Sequence, residues 1–342
     1  MALLFFHNPD QYATSHLARF WTTAHADAQV ASGGYGGVNA LTGSTASAYV
    51  QQVFQTQDSE RFRVGARVRY SAYPSSAKIL LAVVEEDLVI QTCLSLNTDG
   101  TLSIWRGSMD TLLLTTGAVL TLDAWHRIGF KGTVGRALGA AEVHLNSTLT
   151  APNIVGAVTD VNTAFSDHLS WTGIYLGLHP SGLLCHPYAV DGSSIVNDLL
   201  PGLVVISVLP TADGTFNEWE QDPASDTFEA IDDATPDDDT TRLLADTFFA
   251  RFSVSMQALA AAARVHGAQS TAVARNFAGT GFTPTHEPLL LIEGTEYYGP
   301  WRSVPNASWF GTRQLWGTNP RTDVPWTIAE LNAAEWGGRL RG

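Results

Sequence analysis

The chain of 342 residues is long enough for two ordinary domains, each with a real core. Its 33 acidic residues against 19 basic ones leave a net charge of −14, which repels a nucleic-acid backbone or an anionic membrane surface. No stretch approaches the roughly 20 apolar residues of a membrane span. Charged residues make up only 15% of the chain and hydrophobic ones 45%, with many Gly, Thr, Ser, Val and Leu residues, and this balance predicts an all-β protein.

The opening MALLFFHNPDQY has a short apolar run and no basic flank, so it does not read as a secretory signal. ASGGYGG, residues 31–37, lacks the lysine of a phosphate loop and reads as a turn at the sandwich rim. RFRVGARVRYS, residues 61–71, alternates with a period of two, which predicts a strand burying Phe62, Val64, Ala66, Val68 and Tyr70 with its arginines in water. KILLAVVEEDLVIQTCLSL reads as two core strands around a charged turn, and NTDG, residues 97–100, is a strong hairpin signal joining QTCLSL to TLSIWRG. In WHRIGFKGTV the pattern sets Trp125, Ile128 and Phe130 against His126 and Lys131, and AAEVHLNSTL reads as the next strand. Short strands at about ten-residue spacing predict a jelly-roll sandwich over residues 1–211, closed by the apolar strand PGLVVISVLPT at 201–211.

Residues 212–243 read as an acidic structured connection, and 244–342 as a smaller, mostly-β C-terminal domain. In that domain PLLLIEGTEYYG reads as two β runs around Glu293-Gly294, and VPWTIAELNAAEWG as a short helix begun by Pro325 and stopped by Gly337. The alanines of MQALAAAARVH favour helix on propensity alone.

Few residues suggest chemistry. Cys93 and Cys185 lack any metal-binding or redox spacing and read as buried thiols. The histidines, among them His126, His144, His168, His179 and His186, form neither HxH nor HExxH and read as structural. Glu218, Glu220 and Asp222 have the period of two that paired glycosidase carboxylates would need, but they precede a proline in the connection. Asp232, Asp233, Asp237, Asp238 and Asp239 crowd into AIDDATPDDDTTRL; they read as a solvated joint with Asx turns, with calcium as the competing occupant. Trp105, Trp171, Trp301, Trp309 and Trp316 are the candidates for stacking on sugar rings, against a bland reading as core or subunit-interface residues.

The order of motifs resembles a family of tailed-bacteriophage virion proteins that pair an N-terminal laminin-G or concanavalin-like sandwich with a C-terminal β domain. The resemblance rests on FFHNPDQYAT, NTDGTLSIWRG, DAWHRIGFKGTV, LPTADGTFNEW, LLLIEGTEYYG and the ending NPRTDVPWTIAELNAAEWG. It departs at Arg242, where an aromatic is usual, and at VHGAQS. It implies that QALAAAARVHGAQSTAVARNF is strand, turn, strand. It also implies a non-enzymatic structural protein of the virion, in the tail, a fibre or a head decoration, assembled in the host cytoplasm beside other virion proteins. No cofactor is implied, and a homo-oligomer, with a trimer favoured, fits both the symmetry of such parts and the aromatic-rich second domain. The alternative function is a glycan-binding (lectin-like) or glycan-cleaving protein acting on bacterial surface polysaccharide.

Overall fold

The computed structural model describes residues 3–11, 13–54, 60–85, 87–148, 151–167, 169–192, 203–233, 237–238, 240–260, 264–276, 284–306 and 308–341. The chain forms two compact units, Met1–Ile206 and Ser207–Gly342. No described helix is long and apolar enough to cross a membrane.

The first unit is all-β. Its strands are β1 (Leu3–Phe6), β2 (Thr23–Ala24), β3 (Ala28–Ala31), β4 (Ala40–Gly43), β5 (Tyr49–Val53), β6 (Arg61–Tyr70), β7 (Lys78–Val84) and β8 (Ile90–Leu96). They continue with β9 (Thr101–Arg106), β10 (Thr111–Val119), β11 (His126–Thr133), β12 (Gly139–Leu145), β13 (Ile154–Val161), β14 (Gly173–Gly177) and β15 (Gly182–Asp191). One sheet runs β13-β12-β11-β6-β15-β4-β3 with β1 also on β15; the other runs β10-β9-β8-β7-β14-β5-β2. Every pairing is antiparallel, and the unit is a concanavalin/laminin-G-like jelly-roll sandwich.

Alternation builds the core. Phe62, Val64, Ala66 and Val68 of β6 are buried on one face, and Leu81, Leu94, Ile104, Leu176 and Val50 form a cross-strand row of the other sheet. Trp171 is fully enclosed, 6.4 Å from Phe62 and 6.0 Å from Phe54 between ring centres. Two expectations change. His126 pairs opposite Val68 in the row that continues through Ile128 and Phe130, so it shares their face, where Thr121 and Asn146 satisfy its ring. The β6 arginines do not all reach water: Arg63 and Arg67 are buried, Arg67 under the Tyr35 ring at 3.7 Å. Tyr35 belongs to the glycine loop, where Gly33, Gly36 and Gly37 have φ of 86°, 76° and 88°.

The segment 203–209 forms no strand of the sandwich. Only Val205 of its apolar residues is buried, tied by its N–H to His186 Nδ1 (3.2 Å), while Val204 and Ile206 are exposed. An apolar run is not enough to make a strand unless it pairs with one, and this segment pairs with none.

The second unit starts at Ser207, within the run read as the last strand of the sandwich, and takes in the whole segment read as a connection. Its strands are β16 (Pro210–Asn217), β17 (Glu220–Asp222), β18 (Arg242–Leu244), β19 (Arg251–Met256), β20 (Ala268–Ala274), β21 (Thr285–Ile292), β22 (Thr295–Tyr298), β23 (Arg302–Ser303), β24 (Phe310–Trp316) and β25 (Glu335–Arg341). The main sheet runs β16-β19-β25-β21-β22 with β23 on β21, and β17-β18 and β20-β24 are two-stranded ribbons. Glu293 and Gly294, both at positive φ, make the tight turn between β21 and β22. Residues 257–260 and 264–267 are neither helix nor strand, so the alanine run is not helical there; β20 supplies the later strand that the resemblance implied.

The closing motif has a structural account. Helix α1 (Ile328–Ala333) begins at Thr327, whose Oγ1 accepts from Glu330 N (3.2 Å) while the Glu330 carboxylate accepts from Thr327 N (2.8 Å). Trp326 is buried and donates to the Trp316 carbonyl (3.0 Å), and Leu331 is buried in the same cluster. Asn332 accepts from Leu259 N (2.9 Å) and donates to Leu259 O (3.1 Å). The helix ends at Ala334, not Gly337, because Gly337 is already in β25 with Phe252 O too close to admit a Cβ.

Candidate functional site

The outward face of the β10–β2 sheet holds the strongest candidate. Its geometry starts at the NTDG turn, where Gly100 has φ 84° and Asp99 Oδ1 accepts from Thr101 N (3.0 Å) and Oγ1 (2.6 Å). The hydrogen bonds of Thr101, side chain first, hold the Asp99 carboxyl below its ordinary range. This turn fixes the register of β8 on β9 and puts Trp105 opposite Cys93. The row then extends as Thr23, Gln51, Tyr175, Ala82, Cys93, Trp105 and Leu112, each opposite the next.

Tyr175 and Trp105 are three strand spacings apart, about 14 Å, with the small Ala82 and Cys93 between them. Both aromatics are half-buried. Tyr49 stacks on Tyr175 at 5.0 Å and 22°, and His25 lies 5.3 Å from Tyr49. Burial pushes the Tyr175 phenol up to about 12 and the Cys93 thiol up to about 12, so both are neutral at physiological pH.

A polar network crosses the same face. Trp105 Nε1 donates to Ser95 Oγ (2.8 Å), Asn97 Nδ2 donates to Thr101 Oγ1 (2.9 Å) and Ser103 Oγ (2.7 Å), and Ser103 meets Thr115 at 2.8 Å. The row through Trp105 and its neighbour of Tyr49, Gly177, Ile79, Ser95, Ser103 and Thr115 carry no charged side chain. Ser95 and Ser103 are buried and so are Ala82 and Cys93, so what the face offers outward is the Tyr175 and Trp105 rings with the Asn97 amide and the Thr115 hydroxyl, and no ionised acid or base lies in either row.

The other tryptophans do not join it. Trp171 is fully buried with its indole N–H on Arg61 O (2.9 Å), so it cannot stack on a sugar; its apolar bulk goes to the sandwich core. Trp316 is likewise a core residue, of the second unit, packed with Leu290, Ile292 and Trp326. Trp309 is half-buried with the Arg275 guanidinium 4.8 Å from its ring centre, whereas Trp301 is 55% exposed. Tyr49, Tyr175, Ser95, Ser103 and Asn97 were missed in the sequence; counting outward from Asp99-Gly100 would have found Ser95 and Ser103.

The acidic tract is held by its own turns. Asp232, Asp233 and Asp237 are exposed, Asp238 is half-buried with φ 64°, and Asp239 lies outside the described residues. Thr241 Oγ1 reaches Asp233 (3.0 Å) and Asp237 (3.2 Å), and Thr241 N donates to Asp237 Oδ1 (3.2 Å). Among the described residues no group of three or more His, Cys, Asp or Glu side chains converges as a metal site. Glu218 is paired with Arg251 (2.7 Å), Asp222 with Arg242 (2.6 Å), and Glu220 lies on β17 opposite Leu244. His144 pairs with Glu142 and His179 with Ser181, and His168 lies outside the described residues.

No family model matches the chain, and no curated protein matches its sequence. Among solved structures it is similar to the Trypanosoma rangeli sialidase, with 16% identity, a TM-score of 0.35 and 48% of this chain against 27% of that one. It is also similar to domain 4 of AbnA, an extracellular arabinanase from Geobacillus stearothermophilus in complex with arabinotriose (16% identity, TM-score 0.34, 49% and 77% covered). A third is the heptameric SAP-like pentraxin from Limulus polyphemus (14% identity, TM-score 0.30, 42% and 69% covered). The chain thus spans about a quarter of the sialidase. By its own topology the protein is a two-unit all-β protein with an N-terminal jelly-roll sandwich.

Proposed function

We propose that the protein is a non-enzymatic glycan-binding component of a bacteriophage virion, whose sandwich holds bacterial surface polysaccharide on the Trp105 face. The observation that carries the binding is the uncharged row in which the half-buried Tyr175 and Trp105 flank the buried Ala82 and Cys93, beside Asn97 and the exposed Thr115, with buried Ser95 and Ser103 holding Trp105, Asn97 and Thr115 in place. Sugar rings stack their C–H faces on aromatics and exchange hydroxyl hydrogen bonds with such groups. The span between the two aromatics favours an oligosaccharide over a single sugar. The virion setting, and a trimeric assembly with other virion proteins, rest on the sequence resemblance.

The test is titration of neutral oligosaccharides from host surface polysaccharide into the full chain. Trp105→Ala should weaken binding at least about tenfold, since loss of a stacked aromatic approaches 1.4 kcal/mol. Trp301→Ala should leave it unchanged. Undiminished binding by the Trp105 variant, or shortening of the chains by the wild-type protein, refutes the reading.

A further inference from the structure

The chain leaving the sandwich is held to it through a histidine. Strand β15 ends at Asp191, and of residues 203–206 Val205 alone is buried, between the exposed Val204 and Ile206. Side chains take both backbone groups of Val205: its N–H donates to His186 Nδ1 (3.2 Å), and its carbonyl accepts from Asn8 Nδ2 (3.3 Å). To accept, Nδ1 must be bare, so the proton of the neutral ring sits on Nε2. That atom is buried and has no hydrogen-bond partner.

His186 lies where the register of β15 on β6 shifts, between Cys185 and Tyr188, and has φ 49°. Among residues with a Cβ, Asn, Asp and His adopt such angles most readily. Three elements bring polar groups to the buried ring. Strand β6 brings the Arg67 guanidinium, the glycine loop brings Tyr35 with its ring edge-on at 6.4 Å, and the turn Pro9–Gln11 brings Asp10. Asp10 is already engaged by Asn39 N and Asn8 Nδ2, and the neighbouring Cys185 thiol, pushed up to about 11 by burial, is neutral. Burial holds His186 below the ordinary histidine range; the Tyr35 backbone opposes this, Arg67 reinforces it and Asp10 opposes it. A second proton on the ring goes to Nδ1, where it meets the Val205 N–H donor to donor, with a guanidinium among its neighbours.

We propose that His186 is an acid-released latch: a proton taken up at Nδ1 breaks the Val205 bond and frees the chain between β15 and β16 from the sandwich, while both sheets stay formed. One neutral bond, from Asn8, then remains on Val205. The released imidazole titrates at the ordinary 6.5 and the latched one lower. The latch is therefore strongest above that value, and opening gains up to about tenfold for each pH unit below it until the latched ring itself protonates. This device is separate from the Trp105 face and does not rest on the glycan reading given there.

Amide hydrogen exchange on the full chain, corrected for the intrinsic rate at each pH, reads the latch at Val205 and the sandwich at Val64 and Val68 of the inner strand β6. From pH 7 to pH 5 the Val205 amide should lose at least about tenfold in protection relative to the two β6 amides. His186→Asn keeps an acceptor at the δ position, suits the positive φ and does not titrate, so its Val205 protection should be equal at the two pH values. His186→Ala has no acceptor and should leave Val205 poorly protected at both. Wild-type protection unchanged down to pH 5, or an Asn variant that loses protection as the wild type does, would overturn the proposal. So would an equal loss at Val64 and Val68, which marks unfolding of the sandwich, or an imidazole 15N spectrum that puts the His186 proton on Nδ1 at pH 7.

Discussion

Acid should destabilise the second unit through one histidine. His286, on β21, is 5% exposed, and its ring lies where Gly338 leaves room: a Cβ there would come within 2.3 Å of Nε2. Its one described side-chain partner is Thr312 Oγ1, 3.4 Å from Nδ1. Burial drops the imidazole from its ordinary 6.5 to about 4. Between those values the unfolded chain binds a proton that the folded chain does not, so stability present at pH 7 is lost as pH falls from about 6.5 toward 4. The separation corresponds to roughly 3 kcal/mol, most of it gone by about pH 4.5. His286→Phe keeps a buried ring but cannot titrate, so urea unfolding of the wild type should lose about 2–3 kcal/mol more than the variant between pH 7 and 4.5. Equal losses in the two proteins, or an NMR titration placing this imidazole near 6.5, would refute the argument.

Three further outcomes are expected. Thr327→Ala should cost about 1 kcal/mol by removing the cap of α1, with Thr327→Ser restoring most of it in urea unfolding. Gly65→Ala should destabilise by about 1–3 kcal/mol because the new methyl meets the Tyr188 ring, read as a lowered melting temperature; no change would show that the ring moves freely aside. A chelator should leave the melting temperature unchanged, as Asp233 and Asp237 are bonded to Thr241; a fall of several degrees would make the acidic tract a metal site.

What the sequence disclosed was local. The buried apolar alternation of β6 and the Asp99-Gly100 hairpin each lie within a few residues and formed as expected, whereas the Thr327–Glu330 capping box, equally local, was not read. What it hid depends on partners far along the chain. Trp105 and Trp171 look alike as letters, and only the register separates an outward ring from a core one. Tyr175 reaches the Trp105 row because β14 lies between β5 and β7, a pairing that no short window records. The 201–211 run was misread for the same reason: its hydrophobicity was visible, but not that 203–209 pair with no strand and that Pro210 and Thr211 open β16 of the second unit.

The order of strands within the sandwich governs how it can be made. Strand β15 joins β4 and β1 to β6, and β14 joins β5 to β7, so the last two strands of the unit to be synthesised sit in the middle of both sheets. Until Gly177 is available for one sheet and Asp191 for the other, each exists as two halves with open edges facing each other. A nascent chain stopped short of those points has strands but no closed sandwich, and its bare edges are templates for pairing with other chains. Closure is thus expected to be a late, long-range event, slow beside the hairpins that precede it.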